Sequence, residues 1–140
     1  MADPGLARLL LDAYRTVDAE VASALEDRGV PGLTAGHAAA LLQVDRSGTR
    51  LTELARRAGI TKQAMMQAVD DLQSRGLVRR VPDPADARAK IVRLTARGLR
   101  ARAEARRAVS GVEARVRRRL GERRHEALRA TLEDLVADEE

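Results

Sequence analysis

The chain has 140 residues, of which 26 are basic and 21 acidic, and it contains no cysteine, phenylalanine or tryptophan. This length suits one domain with one core, and the lack of cysteine excludes disulfides, thiolate metal sites, cysteine nucleophiles and cysteine-based redox sensing. Because the two histidines, His37 and His125, lie far apart, we expect no metal site and no bound cofactor. The chain opens without a signal-peptide pattern and has no apolar run near the roughly 18 residues of a membrane span, so we expect a soluble cytoplasmic protein with no membrane partner.

The net charge of +5 is distributed unevenly along the chain. Residues 1–30 hold three arginines against six acids, and residues 130–140 hold five acids and no base. Residues 79–96 hold five bases against two acids, and residues 97–129 hold twelve arginines against four glutamates. The basic middle favours a polyanionic partner. The alternative is that a GC-rich genome enriches arginine, since 24 of the 26 basic residues are arginine.

Two helices are predicted in the first third of the chain. Asp3 as N-cap and Pro4 at the first helical position are a typical helix start, and Gly29 suits the position after its end. One apolar face is formed by Leu6, Leu10, Ala13, Val17, Val21 and Ala24. Thr34 is suited to cap a second helix, which ends before a turn at 45–48. The residues predicted to face inward on it are Ala38, Leu41 and Leu42.

Residues 50–78 predict two short helices that meet at a glycine. Thr52 caps the first of these helices and Gly59 ends it, whereas Thr61 caps the second and Gly76 ends it. The apolar positions of the first helix are Leu54, Ala55 and Ala58, and those of the second are Met65, Ala68, Val69 and Leu72. Two short helices joined so tightly indicate a helix-turn-helix.

A hairpin and two more helices are predicted in the rest of the chain. Residues 77–81 and 90–94 read as strands separated by the turn-rich run PDPADARA. Thr95 caps a long helix that runs to about Leu120, and Gly121 separates it from a final helix. The predicted inward residues are Leu99, Val109, Val112 and Val116 on the long helix and Leu128, Leu132 and Leu135 on the last. Because a helix of about 25 residues spans roughly 37 Å, more than a core of this size needs, we expect the first, long and last helices to bury against a second copy.

The order of these features resembles the multiple-antibiotic-resistance-regulator (MarR) family. In that family a helix-turn-helix ending in Leu-x-x-x-Gly-Leu-Val leads to a wing of the form D-x-x-D-x-R and then to Leu-Thr-x-x-Gly. The matching residues here are Leu72, Gly76, Leu77, Val78, Asp83, Asp86, Arg88, Leu94, Thr95 and Gly98, and Ala87 departs from a position that is often basic or glycine. The resemblance implies a mainly α fold with a small β-hairpin wing, in one domain over 1–140. Residues 34–95 would form the winged helix-turn-helix, and 1–30 and 97–140 the dimerisation helices.

The implied function is that of a homodimeric transcription regulator, a repressor that binds double-stranded DNA at a pseudo-palindromic operator. On the second helix of the helix-turn-helix, the face left exposed holds the candidate DNA-binding residues Thr61, Lys62, Gln63, Met66 and Gln67, with Asp70 and Gln73. Gln pairs bidentately with adenine, Met66 suits a thymine methyl group, and Lys62 with the helix N-terminus suits a phosphate. The alternative is that these are ordinary solvated side chains.

The wing is predicted to supply most of the electrostatic attraction to DNA. The second helix of the helix-turn-helix is nearly neutral, because Asp70 and Asp71 cancel its positive charges. The cations that flank its turn are Arg79, Arg80, Arg88, Lys90 and Arg93, and Arg57 is a further candidate for the DNA backbone. The resemblance implies that Arg88 enters the minor groove, with Asp83 and Asp86 orienting the wing. The alternative for Arg88 is a structural ion pair with one of these aspartates.

An effector site is also implied by the resemblance, between the dimerisation helices and the winged region. Tyr14, Arg15 and His37 are the polar candidates there, the alternatives being that His37 is a surface histidine and Tyr14 a packing residue. Because the sequence has no nucleophile–base pair, no metal constellation and no Gly-rich phosphate loop, we expect that the chain is not an enzyme. The alternative function is a winged-helix dimer that binds a protein or an anionic surface without sequence-specific DNA binding.

Overall fold

The computed structural model describes residues 2–137 and is mainly α with a small sheet, so the predicted fold class is confirmed. The elements are α1 (Leu6–Asp27), α2 (Ala35–Gln43), β1 (Thr49–Arg50), α3 (Leu51–Ala58), α4 (Lys62–Ser74), β2 (Val78–Asp83), β3 (Asp86–Leu94), α5 (Ala96–Leu120) and α6 (Glu122–Ala137). Within the described residues, no helix is both long and apolar enough to cross a membrane. Residues 138–140 lie outside the described residues. They are three of the five acids in the 130–140 segment and part of the predicted dimerisation helices.

The first helix begins two residues later than predicted. Gly5, not Asp3, is the N-cap of α1, and the backbone of Gly5 is extended, with φ −67° and ψ 163°. Its carbonyl oxygen accepts the first helical hydrogen bond, from the Leu9 N–H at 3.1 Å. The predicted end is confirmed, because Gly29 takes a φ of +81°, a value that glycine adopts at no steric cost.

The apolar face of α1 is buried only from Val21 onward, in the C-terminal part of the helix. Val21 and Leu25 pack against the rest of the core, where α1 lies along α5. Leu6 and Val17, by contrast, are 65% and 40% exposed. Within the described part of this one chain, nothing covers the first half of the face.

In the helix-turn-helix, one of the two predicted caps is wrong. Arg50, not Thr52, is the N-cap of α3, because residues 49–50 are extended and pair with a neighbouring strand. Thr61 caps α4 as predicted and accepts a hydrogen bond from the Ala64 N–H at 3.0 Å. The predicted buried face of α4, formed by Met65, Ala68, Val69 and Leu72, is confirmed.

The sheet has three antiparallel strands in the order β1–β3–β2, one more than predicted. The hairpin strands are also longer than the sequence suggested, because residues 82–83 of the presumed loop belong to β2 and residues 86–89 to β3, with an irregularity in the pairing at residues 82–83. Val78 and Val92 point into the core from β2 and β3. The hairpin therefore extends well beyond the core as a narrow ribbon.

The long helix packs mainly through small side chains, and of the four predicted inward residues Val112 is fully buried. Its buried residues are Gly98, Ala101, Ala105, Ala108 and Val112. They recur at spacings of three and four, and small side chains let α1 and α2 approach closely. Leu99 lies beside this row and is 39% exposed, so its predicted inward position is wrong, whereas Val109 and Val116 are half-buried. At the start of α5, Thr95 accepts a hydrogen bond from the Gly98 N–H, as predicted.

Candidate DNA-binding surface

The exposed face of α4 carries the predicted reading residues together. Lys62, Gln63, Met66 and Gln67 are all exposed on it, and Met66 keeps 41% of its surface accessible. Thr61 caps α4 with its hydroxyl oxygen, and the N-terminus of α4 lies at Lys62. Because unpaired backbone N–H groups point outward at a helix N-terminus, this end of α4 suits an anion such as phosphate.

The reading helix is tied to the wing through Arg80 on β2. The Arg80 guanidinium donates to Asp70 Oδ1 and to Gln73 Oε1, both at 2.6 Å, and Arg80 is 25% exposed. Sequence analysis assigned Arg80 only as one of the wing's cations. No local pattern would have revealed the contact, because ten residues and a turn separate Arg80 from Asp70.

Asp71, next along α4, joins this helix to α2 through a histidine. The Thr34 N–H donates to His37 Nδ1 at 2.9 Å, so the proton lies on Nε2, which donates to Asp71 Oδ2 at 3.1 Å. Gln67 Nε2 donates to the other carboxylate oxygen at 3.3 Å. The hydrogen bond from His37 holds the pKa of Asp71 below its usual range, and that from Gln67 acts in the same direction. Gln67, which is predicted to read a base, is therefore connected through Asp71 to the buried His37.

The alternative that His37 is a surface histidine is wrong, because only 8% of it is exposed. Both of its ring nitrogens already have partners, which leaves neither free to bind a ligand in this conformation. Tyr14 and Arg15 are exposed on α1, and the hydrogen bonds of the described residues join none of the three to another. Their assignment to an effector site stays a prediction.

Asp83 anchors the wing to the helix-turn-helix. Its carboxylate accepts hydrogen bonds from Arg50 Nε at 2.8 Å and from the Ala85 N–H at 2.9 Å, and it lies 2.7 Å from Arg50 Nη2 in the same ion pair. The backbone hydrogen bond from Ala85 lowers the pKa of Asp83, and that from Arg50 lowers it further. Nothing in the sequence pointed to this role of Arg50, because a strand of two residues leaves no periodic signal.

Asp86 shapes the turn by accepting the Arg88 N–H at 3.0 Å. The Arg88 side chain is 95% exposed, and its Nε lies 3.6 Å from Asp86 Oδ1. An ion pair so open to water contributes little to stability. Asp86 therefore contacts both the backbone N–H and the side chain of Arg88. The Arg88 guanidinium keeps most of its N–H donors facing solvent.

The remaining predicted cations divide into two groups. The first group is exposed and forms no ion pair with the described residues, so its charge faces solvent; its members are Lys62, Arg79, Lys90 and Arg93. Arg57 is different, because its guanidinium contacts Asp45 Oδ2 at 3.1 Å and Glu53 Oε1 at 3.0 Å. The hydrogen bond that Arg57 donates to Asp45, followed by the one it donates to Glu53, raises the pKa of Arg57. Arg57 therefore links α3 to the turn before β1, and its role on DNA stays a prediction.

A sequence model of the MarR family matches residues 31–89. The MarR family protein Rv2887 of Mycobacterium tuberculosis, solved with salicylic acid, is 32% identical to this chain, with a TM-score of 0.67 and coverage of 95% of this chain and 97% of that one. The chain belongs to the MarR family. The resemblance noted in the sequence is thereby confirmed, and with it the assignment to a family of transcription regulators.

Two further solved structures are similar over nearly the whole MarR-type chain. The transcriptional repressor CouR bound to a 23-mer DNA duplex is 28% identical, with a TM-score of 0.80 and coverage of 94% of this chain and 92% of that one. CouR from Rhodococcus jostii RHA1 bound to p-coumaroyl-CoA is 26% identical, with a TM-score of 0.72 and coverage of 91% and 88%. The comparison with curated protein sequences gave no match.

Proposed function

We propose that this MarR family member is a homodimeric, sequence-specific DNA-binding repressor that acts in the cytoplasm on a pseudo-palindromic operator. The observation that carries the proposal is the exposure of the α4 reading face together with a wing whose Arg88 is 95% exposed. The relative CouR, of the same fold, is a repressor solved on a DNA duplex. We also propose that the chain is not an enzyme, and the support is that a MarR family structure similar to it is described as a transcriptional regulator.

Base selection is assigned to the α4 face. Gln63 and Gln67 carry amides that pair with adenine edges in the major groove, and Met66 presents an apolar end to a thymine methyl group. The bond from Gln67 to Asp71 is long, at 3.3 Å, so exchanging it for a base edge costs little. Before DNA binds, the hydrogen bond to Asp71 would limit the orientations that the Gln67 side chain adopts.

Affinity independent of sequence is assigned to the wing and its neighbours. Arg88, Arg79, Lys90 and Lys62 are exposed and present positive charge to solvent, whereas Arg80 neutralises Asp70 on the reading helix. Each phosphate neutralised by such a cation releases counterions, which makes binding depend on salt. Arg88 at the wing tip suits a narrow minor groove.

Dimerisation is assigned to α1, α5 and α6. Large apolar residues exposed on α1 and α6 are Leu6, Leu9, Leu10, Leu11, Tyr14, Val17, Leu128, Leu135 and Val136. A run of exposed apolar side chains of this kind marks an interface. A two-fold dimer that reads successive major grooves would hold its two α4 helices roughly 34 Å apart.

We further propose that a small-molecule effector relieves repression. Support comes from relatives solved with salicylic acid and with p-coumaroyl-CoA. Because an effector shifts an equilibrium only by its differential affinity for two states, it must bind the DNA-free form more tightly.

Selection of bound DNA from a random pool by the pure protein tests the function directly. We expect a recurrent inverted repeat, and a mass of two chains per bound duplex. Recovery of DNA without any shared motif, at an affinity equal to that for heparin, would contradict sequence-specific binding. That result would support the alternative, an interaction module for anionic surfaces.

Two variants separate readout from attraction, with fluorescence anisotropy on the selected site as the measurement. Arg88→Ala should weaken binding to all sequences alike and reduce the magnitude of the salt slope by about one per wing. Gln67→Ala should leave the salt slope unchanged and relax the preference at its base by about 1–3 kcal/mol. Arg106→Ala is the control, because Arg106 is exposed on α5 and forms no ion pair with the described residues. Equal salt slopes and unchanged base preference in both variants would refute this division.

A further inference from the structure

Three hydrogen bonds that link α2 to the reading face of α4 form one network with a defined direction. The Thr34 N–H donates to His37 Nδ1 at 2.9 Å, and His37 Nε2 donates to Asp71 Oδ2 at 3.1 Å. Gln67 Nε2 donates to the other carboxylate oxygen, Asp71 Oδ1, at 3.3 Å. A backbone N–H only donates, so Nδ1 accepts and the ring proton lies on Nε2. The network therefore begins at the N-cap of α2 and ends at the amide of Gln67.

Packing holds the His37 ring in place. Only 8% of His37 is exposed. Thr34 and His37 form a capping box at the start of α2, in which the side chain of each accepts from the backbone N–H of the other. Helix α2 also packs against both α4 and α5. The ring therefore presents its Nε2–H to Asp71 from a fixed position.

The carboxylate of Asp71 determines which end of the Gln67 amide faces it. The hydrogen bond from His37 holds the pKa of Asp71 below its usual range, so the group is ionised near neutral pH. An ionised carboxylate only accepts hydrogen bonds, so Gln67 must present Nε2 to Asp71 and turn Oε1 away. The reverse orientation would place the amide oxygen against an anionic oxygen. Without such a neighbour, the terminal torsion of a glutamine is broad and both orientations occur.

This orientation matches one purine and not the other. With one N–H of Nε2 bonded to Asp71, Gln67 keeps Oε1 and its second N–H for DNA. In the major groove adenine offers a donor, N6–H, and an acceptor, N7, and so pairs with both groups. Guanine offers two acceptors, N7 and O6, which leave Oε1 without a donor. An amide oxygen that is buried against DNA without a partner weakens binding.

We propose that His37 and Asp71 are positioning residues for base readout, and that they make Gln67 select adenine and reject guanine. Each of the two acts by fixing the direction of the next hydrogen bond rather than by contacting the base. The effect on base preference rests on the proposed DNA-binding function, whereas the network itself is a property of the protein without DNA. The two halves are therefore tested separately.

The network is tested on DNA-free protein by NMR. The long-range proton–nitrogen spectrum shows the tautomer of a histidine, and since the sequence contains two histidines, His37→Gln identifies the His37 signals. We expect a proton on Nε2 and none on Nδ1. The order parameter of the Gln67 Nε2 group should fall in Asp71→Ala and stay unchanged in Asp70→Ala, because Asp70 contacts Arg80 instead. A proton on Nδ1, or equal order parameters in all three proteins, would overturn the network.

The effect on base preference is tested by anisotropy on the selected DNA site. The base that Gln67 reads is the one whose preference is lost in Gln67→Ala, and we expect it to be adenine. Asp71→Asn should reverse this preference. The oxygen of the new asparagine accepts from His37 Nε2, its amide then donates to Gln67 Oε1, and Gln67 turns Nε2 outward as a donor to guanine. The affinity ratio of adenine to guanine should fall by about tenfold or more.

Two further variants show whether the effect passes through the network. Asp70→Asn is the matched control, because it removes the same charge from the neighbouring residue and should keep the wild-type ratio. His37→Glu/Asp71→Asn is the compensating variant. The new glutamate suits the capping box and accepts from the new asparagine, whose oxygen then accepts from Gln67 Nε2. The preference for adenine should therefore return. In a Gln67→Ala background, Asp71→Asn should leave the ratio unchanged.

Four outcomes would overturn the proposal. They are a Gln67→Ala variant that loses no base preference, a wild-type preference for guanine at the base that Gln67 reads, an Asp71→Asn variant that keeps the wild-type ratio, and equal changes of ratio in Asp70→Asn and Asp71→Asn. Circular dichroism confirms that each variant folds. The Asp71 side chain is 42% exposed, so Asp71→Asn decides the outcome even if the substitution of the buried His37 prevents folding. No sequence-specific binding by the wild type would instead refute the proposed function, while the NMR result stands by itself.

Discussion

Among the glycines of the described residues, Gly98 leaves the least room for a side chain, and replacing it by alanine tests the packing directly. A Cβ atom at this position would overlap the Leu77 carbonyl oxygen, lie 2.9 Å from the Leu77 carbonyl carbon and lie 3.3 Å from Leu94 Cδ2. The same carbonyl oxygen accepts the Thr95 N–H at 3.1 Å. Because the nearest obstacle is backbone, no side-chain rotation relieves it. Either α5 or the start of β2 must move.

Three contributions determine the size of the effect. Forcing an extra carbon into a packed core costs up to about 3 kcal/mol. Disturbing the hydrogen bond from Thr95 to Leu77 costs about 1 kcal/mol more. Alanine returns up to about 1 kcal/mol over glycine through its helix propensity. We therefore expect Gly98→Ala to lower the free energy of unfolding by about 2–3 kcal/mol.

Gly111 in the same helix provides a matched control. A Cβ there would meet nothing within 4 Å, so only the propensity gain remains, and Gly111→Ala should raise stability by up to about 1 kcal/mol. Urea unfolding at one fixed protein concentration measures both variants. Circular dichroism is the suitable probe, since the chain has one tyrosine and no tryptophan. Opposite shifts of the two midpoints are expected, and two shifts of the same sign would refute the reasoning.

Two further predictions follow from the ion pairs around α3. Arg50→Ala removes the anchor of Asp83, so amide hydrogen exchange should rise in the wing while α4 keeps its protection, and an unchanged wing would contradict the anchoring role. Glu53 has its pKa lowered from 4.5 to about 2 by hydrogen bonds from Arg56 and Arg57. A carboxyl group with a lowered pKa in the folded state stabilises fully above the unfolded value and loses this effect as pH falls, here between 4.5 and about 2. Glu53→Gln should therefore unfold with a shallower pH dependence in that window, and acid titrations that superimpose would exclude the pairing.

Local signals explain what the sequence predicted well. Thr34, Thr61 and Thr95 each cap the helix assigned to them, because an N-cap depends on residues only two or three positions away. The buried face of α4 follows from the same short-range periodicity. The helix-turn-helix could therefore be placed without any knowledge of its partners.

Contacts between distant segments explain what the sequence missed. Strand β1 exists only because Thr49 and Arg50 pair with β3 some forty residues later, and this pairing also displaces the predicted cap at Thr52. The phase of α5 depends on what packs against it, which is why Leu99 was assigned to the wrong face. His37 lies close to the N-cap it supports, yet its burial depends on Asp71 of another helix.

The contact of Arg80 with Asp70 and Gln73 has a geometric consequence for any DNA that this protein reads. It makes α4 and β2 one rigid unit, so the bases under α4 and the groove reached by the wing tip lie at a fixed separation along the duplex. One inserted base pair between them would rotate one contact away from the other by about a tenth of a turn. The protein would then measure length as well as sequence within each half-site.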